Sequence, residues 1–439
     1  MSLAATDPAL PHAEIYRSRL IEPPAERLPL FEGLKTMSRN PAEWWPRIVY
    51  EDGLMVERLM GHSYAHVARP ELVRKVLLDE AHAYNRSFIT QRLLKPAMDE
   101  GVLTTDGEAW RFQRRVLAPL FRQQELNRYV PAMDRSACAA AHRLAKFGPG
   151  TVDVMPEMVR TTLDIIIETL FGEADVDKAS LARDIDLYVR FLGRVDMLDL
   201  FRLPGWVPRP WKGQGFAAVK RLRAACQTVL ETVRHGEVEA GGLIGRLKTA
   251  VDPDTGEGLS DKRIVDNILT FVGAGHETTS LALTWSLYLL ADQPALQAQV
   301  AEEARTYLGA AQAGATEADA TAVEGLGLAT RVVEEAMRLY PPVSATGRNV
   351  TAKTSLGPVE LNPGDHVTLA IMPMHRNPAL WPDPDRFDAE RFSEDAKKTR
   401  DRFAYLPFGG GARICIGWKF AMMEASLILS RLMAAVEVA

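Results

Sequence analysis

"FGGGARICIG", residues 408–417, is the stretch on which the reading of this chain turns. A run of glycines, an arginine and a cysteine stand directly before an apolar segment whose period over 415–435 is helical. The glycines remove side chains where a flat ligand could approach the backbone. Cys415 has three chemical readings. It could be a small buried hydrophobe, a nucleophile needing a histidine base and an oxyanion site, or a metal-binding thiolate needing positive or hydrogen-bonding surroundings.

The surroundings favour the thiolate. Loop N–H groups, and the N-terminus of a helix that this reading starts near Cys415, stabilise negative sulfur. Arg413, two residues away, suits an acidic cofactor group. A zinc site needs about four ligands and usually a second cysteine close by, yet the other two cysteines are the distant Cys138 and Cys226. A dinucleotide loop needs G-x-G-x-x-G, and Ile414 occupies the last glycine position. One thiolate, a bulky flat partner and an anion-binding arginine together describe a haem with a cysteine on one face, an arrangement that pushes electron density onto iron.

The rest of the chain suits a large helical protein. Its 439 residues are 47% hydrophobic and 25% charged, as expected for a globular chain with a substantial core. The net charge of −5 provides no overall positive field for nucleic acid. No apolar run reaches the roughly 18 residues of a membrane span, and the first twenty residues lack the pattern of a signal peptide. A cytoplasmic setting is expected, and three cysteines there form no disulfide framework.

Residues 53–70 alternate as a pair of strands. Helical periods follow over 107–118, 126–147, 155–172, 212–234, 260–291, 294–308, 327–340 and 415–435, with short strands between 342 and 372. The fold class expected is mainly α with a minor β part, built as one large domain over 1–439 around a long buried central helix.

The cysteine loop resembles the haem-binding signature of the cytochrome P-450 haem-thiolate monooxygenases, Phe-x-x-Gly-x-Arg-x-Cys-x-Gly. Phe408, Gly411, Arg413, Cys415 and Gly417 fill its five fixed positions, and Ala421 and Glu424 continue the family's helix pattern. Three further segments bear on the resemblance. "FVGAGHETTS" (271–280) lies in an almost all-round apolar helix, where Gly273 and Gly275 each cost about 1 kcal/mol relative to alanine. Helix packing explains those glycines but not Glu277, since a buried acid needs a partner. Serine at 280 excludes HExxH zinc ligation. The resemblance implies that Ala274, Gly275, Glu277 and Thr278 lie over the haem on the oxygen side, with Glu277 and Thr278 as the catalytic pair.

"EEAMRLYPP" (334–342) puts Glu335 and Arg338 on one helix face, a spacing that alone describes a surface ion pair. The resemblance implies a structural triad with Arg391 of "DAERF". "EAWRFQRRVLAPLF" (108–121) carries Trp110 and Arg114 at i, i+4. Alone they suit a basic amphipathic helix; the resemblance implies that they, Arg413 and Arg348 hold the haem propionates.

The resemblance therefore implies a monooxygenase with haem b ligated by Cys415, acting with dioxygen on a small apolar substrate. Electrons would come from a ferredoxin or flavodoxin with its reductase; Lys419, Arg111, Arg115 and Arg122 could form a basic docking patch, and solvation alone explains the same charges equally well. A haem-thiolate peroxygenase or isomerase, or a non-catalytic haem protein, shares the cysteine loop. Peroxygenase relatives, however, replace the acid–threonine pair retained here. Pocket-lining residues are expected in 84–104, 190–212, 268–278 and 342–348, including Phe88, Leu93, Leu94, Phe191, Leu192 and Val343, with 198–211 as a lid. His276 is expected to point away, and Cys138 and Cys226 to be packing residues. Only 24 residues follow Cys415 (439 − 415), so the β-hairpin that usually closes the family's substrate site is expected to be missing.

Overall fold

The computed structural model describes residues 22–29, 32–33, 35–36, 40–59, 61–172, 174, 176–192, 207, 209–235, 242–309 and 318–439. Ten helices longer than ten residues stand among them. They are α1 (Phe88–Met98), α2 (Gly107–Leu117), α3 (Val130–Phe147), α4 (Met155–Phe171), α5 (Lys178–Leu192), α6 (Gly213–His235), α7 (Asp261–Ala291), α8 (Pro294–Leu308), α9 (Gly327–Leu339) and α10 (Trp418–Ala435). The mainly α expectation holds. The strands are β1 (Leu54–Leu59), β2 (His62–Val67), β3 (Tyr84–Arg86), β4 (Thr346–Val350), β5 (Thr354–Leu356), β6 (Val359–Leu361) and β7 (His366–Leu369).

α7 is the long central helix. Its 31 residues span about 47 Å at 1.5 Å each. Ser260 caps it by accepting from the Arg263 N–H, and buried residues occur on every side of it. It packs against α4, α9 and α10. Gly273 lies against Met98 of α1 and Tyr188 of α5, and Gly275 against Ile166 of α4.

Two differences from the periodicity reading have physical causes. α5 is an additional helix whose buried side, Leu181, Asp184, Ile185, Tyr188 and Leu192, includes an acid that blurs the apolar stripe; Arg221 of α6 pairs with Asp184. α10 begins at Trp418 rather than near Cys415, because Gly411–Arg413 forms a 3-10 turn and the Cys415 N–H turns back to the Phe408 carbonyl at 2.9 Å.

The main sheet has the order β1-β2-β7-β4-β3, with β2 and β7 parallel and the other pairs antiparallel; β5 and β6 form a separate hairpin. The sheet has its own apolar core, containing Val67, Leu77, Phe403 and Leu406, beside the larger helical one. The segment before Cys415 runs from the sheet core to Phe408, which packs on the helical core. The cysteine loop is therefore held at the seam between the two. Among the described residues, no helix is long and apolar enough to cross a membrane.

Candidate active site

A large cavity opens at this seam. Its floor is the cysteine loop and the start of α10, its roof is the middle of α7, and α2 and β4 close its sides. Gly411 has φ +65, and a Cβ there would lie 2.1 Å from the Leu77 carbonyl oxygen, so both backbone shape and space demand glycine. The surface of Cys415 faces the cavity while protein surrounds the residue. Burial raises its thiol pKa; a hydrogen bond from the Gly417 backbone and the Arg114 charge act in the opposite direction, towards thiolate.

The loop is braced from behind. Arg338 and Glu335 are fully buried, with Arg338 Nε 2.7 Å from Glu335 Oε2 and Nη2 2.8 Å from Oε1. Arg338 also donates to the carbonyls of His375, Pro384 and Arg386. Arg391 Nε stands 3.5 Å from Glu335 Oε1. Buried His375 then accepts from the Leu406 N–H at 2.9 Å, which carries the bracing to the strand of chain entering the loop. The pair is an interior network, not the surface bridge that its spacing alone described.

One side of the cavity is strongly cationic. Arg413 pairs with Asp106, donates to the Thr105 carbonyl at 3.1 Å and lies 4.2 Å over the Trp110 ring. Arg348 is buried and, among the described residues, its hydrogen bonds are local, to Thr346 Oγ1 at 3.2 Å and the Gly347 carbonyl at 2.9 Å. Arg86, which the sequence reading missed, is its direct cross-strand neighbour. The Nε of Arg86 is buried and has no hydrogen-bond partner among the described residues. Burial first, then the Arg413 and Arg348 charges, depress the Arg86 guanidinium to about 9; burial and Arg413 bring Arg348 to about 10.

Like charges directly opposite on neighbouring strands repel. Three arginines against Asp106 leave a local excess of two positive charges (3 − 1). That excess, with an orphaned guanidinium N–H, suits a flat cofactor bearing two carboxylates on one edge. The residues present therefore fit a haem: Cys415 on one face, and Arg86, Arg348, Arg413 and Trp110 at the carboxylate edge. Arg114 lines the cavity beside Cys415.

On the opposite wall, Thr278 lines the cavity and donates to the Ala274 carbonyl at 2.9 Å. Thr279 does the same to Gly275 at 3.0 Å. Glu277 is half-buried and is not among the cavity-lining residues. His276 points away as expected, buried with Nδ1 2.8 Å from the Val272 carbonyl. Behind Thr279 lies fully buried Glu424, whose carboxyl burial pushes well above the usual range, opposed only by a hydrogen bond with Thr279.

Val343, Val102 and Leu103 line the cavity; Phe88, Leu93, Leu94, Phe191 and Leu192 do not. The lid expected at 198–211 falls mostly outside the described residues. The basic patch is smaller than expected, since Arg115 is held by Asp252 and Arg111 by Glu108.

Residues 49–439 match the family model described as Cytochrome P450. The chain belongs to the cytochrome P450 family. It is 30% identical to "Cyclooctatin synthase" of Streptomyces melanosporofaciens, over 95% of this chain and 92% of that protein. It is also 30% identical to "Cyclooctat-9-en-7-ol 5-monooxygenase" of the same organism, over 92% and 86%. Among solved structures, the haem domain of cytochrome P450DA superposes with a TM-score of 0.79 at 24% identity, covering 94% of this chain and 91% of that one. Retinoic acid bound cyanobacterial CYP120A1 gives 0.76 at 26% identity, covering 94% and 91%. This P450 is thus an oxidoreductase of the monooxygenase class with a haem cofactor.

Proposed function

We propose that this P450 oxygenates a small apolar organic substrate, with haem b ligated by Cys415 and electrons from a separate ferredoxin or flavodoxin with its reductase. The observation that carries the reading is one cavity with Cys415 on its floor, a hydroxyl on its roof and a largely apolar lining. When bound, the haem would supply reductive activation of dioxygen: one substrate, one dioxygen, two electrons and two protons yield one oxygenated product and one water. A hydrocarbon-rich substrate suits the lining, and the relative named for an unsaturated alcohol, cyclooctat-9-en-7-ol, points the same way. The 439 residues act as one haem domain, in a cytoplasmic setting. Lys419, against the exposed Trp418 ring, and Arg122 offer positive charge for the redox partner.

The chain's own part is positioning and proton handling. Arg86, Arg348 and Arg413 bind the propionates, with Trp110 stacked on Arg413; Arg114 favours the thiolate. Phe408 and Gly417 pack and hydrogen-bond at the cysteine side. The Thr278 hydroxyl points its proton at the Ala274 carbonyl, so its oxygen offers lone pairs to a donor in the cavity. Glu277, one residue away and outside the cavity lining, assists Thr278 in bringing protons to this wall.

Thr278→Ala is expected to keep haem and donor oxidation but lower product per electron roughly tenfold, the scale of one lost hydrogen bond of about 1.4 kcal/mol, with peroxide released instead. Peroxide-driven turnover should change far less. Equal coupling in wild type and variant would leave Thr278 as a packing residue.

Arg86→Met tests the carboxylate edge. Losing a charge-assisted hydrogen bond should speed haem transfer to an acceptor protein roughly ten- to a hundredfold. The haem-free variant should melt higher than the haem-free wild type, because a repulsive buried charge is gone. Unchanged haem loss would remove Arg86 from the site.

A further inference from the structure

The segment 99–106 between α1 and α2 carries two kinds of site residue. Val102 and Leu103 line the cavity, while Thr105 and Asp106 hold Arg413 through a carbonyl and a carboxylate. A connecting loop at a cavity mouth is ordinarily mobile; this one is fastened to the central helix. The Val102 N–H donates to Asn267 Oδ1 at 2.9 Å, and the Glu100 N–H to Asp266 Oδ2 at 3.2 Å. Gly101 lies so close to α7 that a Cβ there would stand 2.3 Å from Thr270 Oγ1 and 2.9 Å from the Asp266 carbonyl.

Asn267 of α7 and Gln113 of α2 are both fully buried and bonded to each other, Nδ2 to Oε1 at 2.7 Å. The second N–H of Asn267 goes to the Arg263 carbonyl at 2.8 Å. Gln113 Nε2 donates to the Glu100 carbonyl at 3.0 Å and to Thr105 Oγ1 at 3.1 Å. Reversing either amide would set donor against donor and acceptor against acceptor, so the network accepts a single arrangement. Both ends of the segment and the helix carrying Trp110 and Arg114 are fixed by this one pair.

We propose that Gln113 and Asn267 are positioning residues: their paired amides hold segment 99–106 in the register that presents Val102 and Leu103 to the substrate and Asp106 to Arg413. The proposal rests on the cavity being the haem and substrate chamber. It makes the wall at Val102 and Leu103 a preset surface, so that the chain selects substrates by fit and not by loop closure.

Two iron ligands separate this from a merely structural role. Imidazole is too small to use the wall, whereas the ring of 4-phenylimidazole must pack on the surfaces around the iron. In Gln113→Met and Asn267→Leu, the dissociation constant for 4-phenylimidazole should rise about tenfold while that for imidazole stays within about twofold. The double variant should be no worse than either single one, because the pair acts as a unit. Equal changes for both ligands, or a lowered melting point with neither affinity changed, would overturn the proposal. Wild-type protein giving no spectral shift with imidazole would instead overturn the haem reading beneath it. If the variants do not fold, hydrogen exchange in the wild-type holoprotein decides: the Glu100 and Val102 amides should be protected like those of α7, and exchange at the rate of an open loop would overturn the proposal.

Discussion

Cys415→Ser is expected to abolish the thiolate-type spectrum of the reduced carbon monoxide complex completely, while Cys138→Ser and Cys226→Ser leave it intact. Only Cys415 faces the cavity. Cys226 is buried in α6 with its thiol pushed up to about 12 by desolvation, and Cys138, half-buried in α3, is also raised, by burial first and then by Asp134. Neither environment favours a thiolate. Burial raises the Cys415 thiol too, but there the Gly417 backbone and the Arg114 charge act against it, and the sulfur faces the cavity. A serine oxygen accepts the same hydrogen bond but supplies no sulfur donor to iron. A normal thiolate spectrum from the Cys415→Ser protein would end the assignment of the ligand.

Glu335→Ala and Arg338→Ala should each cost most of the folded, haem-loaded protein. Removing one member of a buried ion pair typically costs about 3–5 kcal/mol, against a net stability of about 5–15 kcal/mol for a whole domain. The loss here should sit at the upper end. Without Glu335, Arg338 and Arg391 remain as two cations in the interior, and the Asp388 N–H loses its acceptor at 2.9 Å. Without Arg338, three backbone carbonyls lose their donors. The measurement is haem per purified protein together with the melting temperature. Full loading and unchanged melting in both variants would return the pair to the class of ordinary surface bridges.

What could be read from the residues was whatever local chemistry fixes. The glycines, Arg413 and Cys415 lie within ten residues of one another, and α7 and α8 announce themselves by period and length. Arg86 could not be found in this way. "YNRSF" carries no spacing signal, and its meaning comes from pairing with Arg348, 262 positions later (348 − 86). The Asn267–Gln113 contact, 154 residues apart, is hidden for the same reason. Nor does Pro96 advertise α1, since a proline inside a helix removes an N–H donor and argues against one. The start of α10 was misplaced because the apolar period runs on through Ile414 and Ile416, although the turn at Gly411–Arg413 has already taken the backbone out of helical geometry.

The parallel pairing of β2 with β7, reinforced by the Ser63 N–H on Asp365 Oδ1 at 2.8 Å, joins residues 302 positions apart. On the ribosome this has a directional consequence. Early-made β1 and β2 can zip together as they emerge, but the other edge of β2 has no neighbour until the chain has been extended beyond residue 369. Until β7 is made that edge stays open to any other extended chain, and closing so distant a contact is slow. Cys415, the proposed sulfur ligand, is made later still. Haem capture by this residue therefore waits until position 415 has been made, and an interruption of synthesis before β7 leaves a product that can neither close its sheet nor present the cysteine.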